Sequence, residues 1–192
     1  MSARLPSCLR HGLVALALSG LPWTTPAVAA PGAAPSPLPT ITSLDLPRYM
    51  GTWHEIAKYP NRFQAQCTGA TSATYELLPT GRVRVTNRCR VAGGGLDEAV
   101  GEARRVGPEG SPVLQVRFAP AWLSWLDAVW GDYWVVDLDA DYRLVAVAEP
   151  RREYLWILSR TPTVDEAALQ ALITRLEAMG FDRARLQRSP QD

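Results

Sequence analysis

The stretch Leu46-Pro47-Arg48-Tyr49-Met50-Gly51-Thr52-Trp53-His54-Glu55-Ile56-Ala57-Lys58-Tyr59-Pro60-Asn61-Arg62-Phe63 decides the fold. A turn from Asp45 to Tyr49 feeds a glycine, then a large aromatic, then side chains that alternate, which is how a first strand enters the floor of a barrel. Gly51 lets the backbone bend where a side chain would clash. With Trp53 pointing inward, the two-residue period turns Glu55, Ala57 and Tyr59 inward and His54, Ile56 and Lys58 outward. Taken alone, a Trp after a Gly reads as no more than a buried core aromatic.

Two further blocks accompany it. One is Asp132-Tyr133-Trp134-Val135-Val136-Asp137-Leu138-Asp139-Ala140-Asp141-Tyr142, the other Arg152-Glu153-Tyr154-Leu155-Trp156-Ile157-Leu158-Ser159-Arg160-Thr161-Pro162. In this order and spacing the three resemble the three sequence signatures of the lipocalin family. Gly51 to Ala57 and Tyr154 to Pro162 look most like the bacterial lipocalins, close relatives of apolipoprotein D. The resemblance runs from Leu44 to Leu186. It implies a calyx that holds a small hydrophobic ligand, with Arg160 stacking over Trp53 to close the floor, a contact with a sound cation–aromatic basis. Gly51, Trp53 and Arg160 are then structural residues, not a catalytic site.

The strand pattern leads to the same fold. After the first strand, Thr71 to Leu78 and Arg82 to Val91 alternate around Pro79-Thr80-Gly81 as a hairpin. Glu98 to Val106, Val113 to Phe118, Tyr133 to Leu138, Tyr142 to Ala148 and Glu153 to Arg160 complete eight. Strands so spaced, with no helix between them, predict an all-β, antiparallel up-and-down barrel, and eight strands enclose one small ligand. Thr163-Val164-Asp165-Glu166 has the form of a capping box. Leu169, Leu172, Ile173, Leu176 and Met179 then recur at helical spacing before Gly180, so a C-terminal α-helix packs on the outside of the barrel.

The chain has 192 residues, 47% of them hydrophobic, enough for one domain with attachments. Arg4 and Arg10 precede an apolar run from Leu13 to Leu21, and Ala27-Val28-Ala29 is a small-x-small site, so residues 1–29 read as a secretory signal peptide. The run is short of the ~20 residues that cross a bilayer. Residues 30–40 read as a Pro- and Ala-rich linker, and 41–188 as the barrel domain. Without the leader, 18 basic residues face 19 acidic ones, and no nucleic-acid footprint survives.

The exported part keeps two cysteines, Cys67 and Cys89, and one histidine, His54. Two cysteines in an exported chain point to a disulfide. Counted from the hairpin turn the pair is several positions out of match, so a bulge or loop takes up the difference. Many bacterial relatives are lipoproteins with a Cys just after the apolar run. Here Cys8 precedes the run and no lipobox follows, so the expectation is a periplasmic or secreted protein that associates with the outer membrane, if at all, without a lipid anchor.

Up-and-down topology places residues 61–66, 92–97, 119–132 and 149–153 at the rim opposite Trp53. Gly93-Gly94-Gly95 reads as a floppy lid. Trp122, Trp125 and Trp130 crowd one rim loop. They suit a membrane interface, where an amphipathic ring sits at headgroup level, and suit equally an apolar plug folded back on the barrel. Arg62, Arg151 and Arg152 add positive charge at the same rim, able to meet a carboxylate or an anionic headgroup.

Parity from Trp53 and Arg160, with a register partly taken from the family pattern, predicts a ligand wall of Ala57, Ala73, Tyr75, Val83, Val85, Val116, Phe118, Trp134, Val136, Tyr154, Trp156 and Leu158. The seventh strand is apolar on both faces, so its parity stays open. Such a wall suits a fatty acid, a lysophospholipid or a similar lipid, and a barrel filled by its own side chains is the competing reading. One histidine leaves no two-imidazole metal or haem site, and no cofactor is expected. Enzyme action is not expected. The surviving catalytic alternative is an acid/base carboxylate at Glu55, raised in pKa by burial. A protein-interaction module using the Trp-rich loop is the other alternative.

Overall fold

The computed structural model describes residues 36–191. The expected leader and residues 30–35 of the expected linker lie outside them. Eight strands form the barrel: β1 (Gly51–Lys58), β2 (Cys67–Leu77), β3 (Val83–Val91), β4 (Leu96–Arg105), β5 (Val113–Arg117), β6 (Gly131–Leu138), β7 (Leu144–Ala148) and β8 (Leu155–Ser159). Each pairs antiparallel with the next, and β1 pairs with both β8 and β2, so the sheet closes on itself. Closure removes the open edges that an antiparallel sheet exposes.

Two apolar cores flank the barrel wall. The inner one contains Leu44, Trp53, Val83, Val85, Val135, Val145, Val147 and Leu158. The outer one lies under helix α2 (Glu166–Ala178) and contains Ile56, Ala57, Val136, Ala146, Ile157, Leu169, Leu172, Ile173 and Leu176. Val145 and Val147 face inward, while Leu144, Ala146 and Ala148 face the helix, which fixes the parity of the strand that is apolar on both faces. Burying the four helix side chains stabilises this contact by roughly 1.5–3 kcal/mol each relative to exposure. The helix cap is Asp165, whose Oδ1 accepts from Ala168 N at 2.8 Å. Thr163 therefore does not cap it. Gly180, at φ 91°, turns the chain off the helix end.

A β-bulge lies between Glu55 and Ala57, and it overturns the simple alternation expected of β1. Ile56 is the extra residue, so the inward set switches. Glu55 still opposes inward Leu158, but Ala57 opposes outward Ile157 and Lys58 opposes inward Trp156. Ala57 thus packs in the outer core and is not part of a ligand wall. Tyr59 also points to the outer core, against the Phe181 ring with centroids 6.2 Å apart.

The C-terminal segment fills the place where β1 and β2 part. A two-residue strand, β9 (Gln187–Arg188), pairs with Ala57 and Lys58, Ser189 N donates to Ile56 O and Ala70 N donates to Pro190 O. Cys67 and Cys89 are joined by a disulfide with Cα atoms 5.5 Å apart. Register shifts at Cys67/Gly69 and Gly69/Ser72 take up the expected offset. At the other end of the domain, Leu38 from the expected linker is only 5% exposed and sits in the outer core, because an apolar side chain beside the helix is better buried than left in water.

Candidate ligand-binding calyx

The closed end is built from the turn before β1. A short helix, α1 (Leu46–Tyr49), is capped by Asp45 and buries Leu46 and Tyr49. Trp53 is fully buried above it and donates Nε1–H to Tyr49 O at 2.9 Å. The Arg160 guanidinium lies 3.9 Å from the Trp53 ring centroid. It donates to Arg48 O at 2.8 Å and to Thr52 O and Tyr142 O at 3.2 Å each. Gly51 has φ 94°, and a Cβ there would lie 3.2 Å from Arg160 Nη1, so both backbone conformation and the close guanidinium favour glycine.

Above this plug three phenol hydroxyls meet. Tyr133 Oη lies 2.7 Å from Tyr49 Oη and 3.0 Å from Tyr75 Oη. Burial pushes Tyr75 up to about 12, and burial together with the neighbouring phenols holds Tyr49 and Tyr133 well above the ordinary tyrosine value. Two hydrogen bonds among three hydroxyls use two protons and leave one to donate elsewhere.

Exposure along the inner wall is graded. Val83, Val85, Leu114, Ala103, Tyr75, Val135, Val145, Val147 and Leu158 are buried. Toward the other end the inward positions keep accessible surface: Asn87, Gly101, Val116, Tyr133 and Trp156 are half-buried, Ala99 is exposed and Phe118 is 44% exposed. Phe118 lies over Gly101, where a Cβ would come within 2.7 Å of its ring, so this glycine makes room for the aromatic. Tyr154 stacks on Trp156 with centroids 6.0 Å apart and meets Phe63 at 5.5 Å. The inner wall is therefore buried below Tyr133 and keeps accessible surface above it.

One side of the open part is polar. Glu55 is 2% exposed, and its carboxylate accepts from Lys58 Nζ at 3.0 Å, Gln64 Nε2 at 2.5 Å and Ser189 Oγ at 2.6 Å. Gln64 Oε1 in turn accepts from Trp156 Nε1 at 2.9 Å and Asn61 Nδ2 at 2.8 Å. Simple alternation missed Lys58 and Gln64 here. The bulge that turns Lys58 inward leaves no mark in residue type.

Of the expected wall, Ala73, Tyr75, Val83, Val85, Val116, Trp156 and Leu158 face the interior, and Phe118 and Tyr154 stand at its mouth. Trp134 and Val136 do not. They belong to the outer core, and inward Tyr133 and Val135 take their places, since the register pairs Trp134 with outward Ala148. Trp134 lines an outer groove of about 560 Å³ with Leu38, Pro150, Arg152 and Asp182.

The rim also departs from expectation. Trp122 and Trp125 are 73% and 75% exposed, but Trp130 is 7% exposed on the outer wall. There its ring lies 4.2 Å from the Arg104 guanidinium, 5.1 Å from that of Arg117 and 5.9 Å from that of Arg82. Trp130 is thus an anchor, not a rim contact. Arg152 is not a free rim cation either: it donates to Met179 O at 2.7 Å and Ser36 O at 2.9 Å. Arg62 is exposed, and Arg151 is exposed but paired with Glu149 and Glu153. Gly93 and Gly94, both at positive φ, form a tight hairpin turn closed by Val91 N to Gly95 O at 2.9 Å, so turn geometry rather than a lid explains the triple glycine.

A closed eight-stranded antiparallel barrel with one plugged end, one open end and an outer C-terminal helix defines a ligand-holding calyx. The model of the lipocalin-like domain matches residues 44–191, and the chain belongs to the lipocalin family, whose members bind small hydrophobic ligands. It is 37% identical over 153 residues to temperature-induced lipocalin-1 of Arabidopsis thaliana, covering 79% of this chain and 81% of that one. It is 35% identical over 149 residues to the outer membrane lipoprotein Blc of Escherichia coli, covering 77% and 80%. Insecticyanin from the tobacco hornworm Manduca sexta superposes with a TM-score of 0.62 at 20% identity, covering 83% of this chain and 87% of that one, which shows the shared fold.

Proposed function

We propose that this chain binds and carries an amphipathic lipid, a fatty acid or lysophospholipid, in the open upper part of the calyx. The observation that carries the reading is the graded exposure of the inner wall: apolar and aromatic side chains that keep accessible surface above Tyr133, over a buried floor. Val116, Phe118, Tyr154 and Trp156 contact the tail. Lys58 and Gln64 on one wall, and the spare hydroxyl proton of the tyrosine trio at the base, meet its oxygens.

The protein works in the cell envelope after removal of its leader, in lipid transport or maintenance. A disulfide fits an oxidising compartment, and the relative from E. coli is named an outer membrane lipoprotein. Acid–base catalysis at Glu55 has less support, because three donors already occupy the carboxylate.

Native mass spectrometry of the chain from Ala30, as purified and after delipidation, tests the reading. The expected result is a copurifying species of lipid mass that rebinds with quenching of Trp fluorescence. Val116→Trp, which fills the upper cavity, weakens rebinding at least tenfold while the far-ultraviolet spectrum stays unchanged. An empty barrel that takes up neither fatty acid nor lysophospholipid sinks the proposal.

A further inference from the structure

We propose that the mouth of the barrel is a docking surface for a zwitterionic phospholipid bilayer, with Trp122 and Trp125 as the inserted side chains. This stands apart from the ligand reading: Trp122 and Trp125 lie on the outer rim, and Phe118 at the mouth is the one side chain that the two readings share.

Large apolar side chains concentrate at this end. Phe63 (56% exposed), Leu96 (74%), Phe118 (44%), Trp122 (73%) and Trp125 (75%) come from three loops or strand ends around the opening. Together they present about 650 Å² of apolar surface, taking roughly 150–250 Å² per aromatic side chain.

The Trp-rich loop is held in place rather than loose. Trp130 is wedged among Arg82, Arg104 and Arg117, and its Nε1–H holds Ser124 O at 2.9 Å. Arg117, 5% exposed, donates to Ala119 O and to Glu102. The two clamps fix the loop on either side of Trp122. Between them the backbone makes two short 3-10 turns, Ala121–Leu123 and Asp127–Val129. Leu123, Ser124, Leu126, Val129 and Trp130 N–H groups all donate within the loop. A segment entering the bilayer interface needs this, since unpaired backbone groups are costly there. One tryptophan anchors, and the other two project.

Area and charge favour a bilayer over a second copy of this chain. A stable dimer needs about 800 Å² per partner in a continuous patch, whereas this surface is smaller and interrupted by the calyx opening. A bilayer needs no matching shape. The rim charges are mixed: Arg151 pairs with Glu149 and Glu153, and Arg104 with exposed Asp127. No excess of cations selects anionic headgroups.

Vesicle flotation with pure phosphatidylcholine tests the proposal, at 50 and at 500 mM NaCl as nominal low and high salt (about 14 and 4 Å of screening length). The expected result is binding that changes less than twofold with salt, with a blue shift of Trp emission and quenching by brominated acyl chains. Trp122→Ser/Trp125→Ser lowers the partition coefficient at least tenfold. Val100→Ser, which removes an exposed apolar side chain from the outer wall of β4, leaves it unchanged. Failure of the unaltered protein to float, equal flotation of the double variant, or strong loss in high salt overturns the proposal. So does a concentration-dependent dimer, seen by sedimentation without vesicles and abolished in the double variant. Lipid uptake by the calyx is measured separately, so either proposal can fail alone.

Discussion

Glu55→Ala is the most informative single change, because it tests whether a buried carboxylate ties the C-terminal segment to the barrel. Glu55 is 2% exposed and accepts from Lys58, Gln64 and Ser189. A hydrogen bond to a charged group contributes about 1.5–3 kcal/mol, and removing one partner of a buried ion pair costs about 3–5 kcal/mol. The Lys58 side chain is 16% exposed, so its ammonium can swing toward the mouth and regain water. The expected loss is therefore at the low end, about 3 kcal/mol. With about 2–4 °C per kcal/mol for a domain of this size, Tm falls by roughly 6–12 °C. Glu55→Ala/Lys58→Met removes both charges and leaves no stranded ammonium, so it recovers more than half of that loss. Urea unfolding gives the free energies, and amide hydrogen exchange gives the location. The Ser189 and Ala70 amides, bonded to Ile56 O and Pro190 O, should exchange faster in the single variant than those of β6 and β7. A loss below about 1 kcal/mol, or a double variant no more stable than the single one, refutes the reasoning.

Reducing the disulfide, or replacing Cys67 and Cys89 by Ser, opens a loop with a sequence separation of 22; urea unfolding should show a loss of about 3 kcal/mol in the chain-entropy picture. Burial pushes the Glu102 carboxyl up, but Arg82 and Arg117 outweigh it and hold the group below its ordinary value. Its contribution is present above the unfolded pKa of about 4.3 and is lost as pH falls through the lower folded value. Acid titration of Glu102→Gln should therefore show a shallower loss of stability below that pH. Tyr49, Tyr75 and Tyr133 are raised in the folded state, so their contribution is complete below the unfolded pKa of about 10 and is lost as pH rises through the folded values. Absorbance at the phenolate band should show these three still protonated at pH near 11 and ionising together on unfolding; early ionisation would mean that the trio is wet.

Much of the barrel was legible in local pattern. Alternation with Gly–aromatic punctuation located eight strands, and Leu169, Leu172, Ile173 and Leu176 located the outer helix face. The floor was legible because Trp53 and Arg160 lie in blocks that resemble family signatures, and the guanidinium does lie over that ring. Wall positions were less legible where a strand is apolar on both faces. In Trp134-Val135-Val136 nothing in residue type says which side meets the helix and which the cavity. Trp130 misled for another reason. A tryptophan in a rim loop reads as exposed until the fold brings Arg82, Arg104 and Arg117, from two adjoining strands and a turn, around its ring. Ser189 meets Glu55 across a separation of 134 residues, far beyond any local period.

The bulge at Ile56 ties the departures along β1 together. Had β1 alternated without a break, Ala57 and Tyr59 would face the cavity and Lys58 would face the outer side. The inner wall along β1 would then carry Glu55 and the Tyr59 hydroxyl but no cation to meet the acidic head of an amphipathic ligand. By inserting one residue, the strand keeps Trp53 and Glu55 inward, sends Ala57 and Tyr59 to the outer core, and brings Lys58 beside Trp156. The same bend parts β1 from β2 and opens the gap that β9 and Ser189 fill. Glu55 sits at that junction, held at once by the cavity wall through Lys58 and Gln64 and by the C-terminal segment through Ser189. Deleting Ile56 removes the extra residue but keeps the faces: Glu55 stays inward, Ala57 outward and Lys58 inward. What is lost is the bend, with the Ile56 carbonyl that accepts from Ser189 N and the Ile56 side chain in the outer core. Faster exchange at residues 187–191 with lipid uptake nearly unchanged is the expected outcome, whereas weaker uptake together with faster exchange would mean that the bend itself shapes the cavity wall.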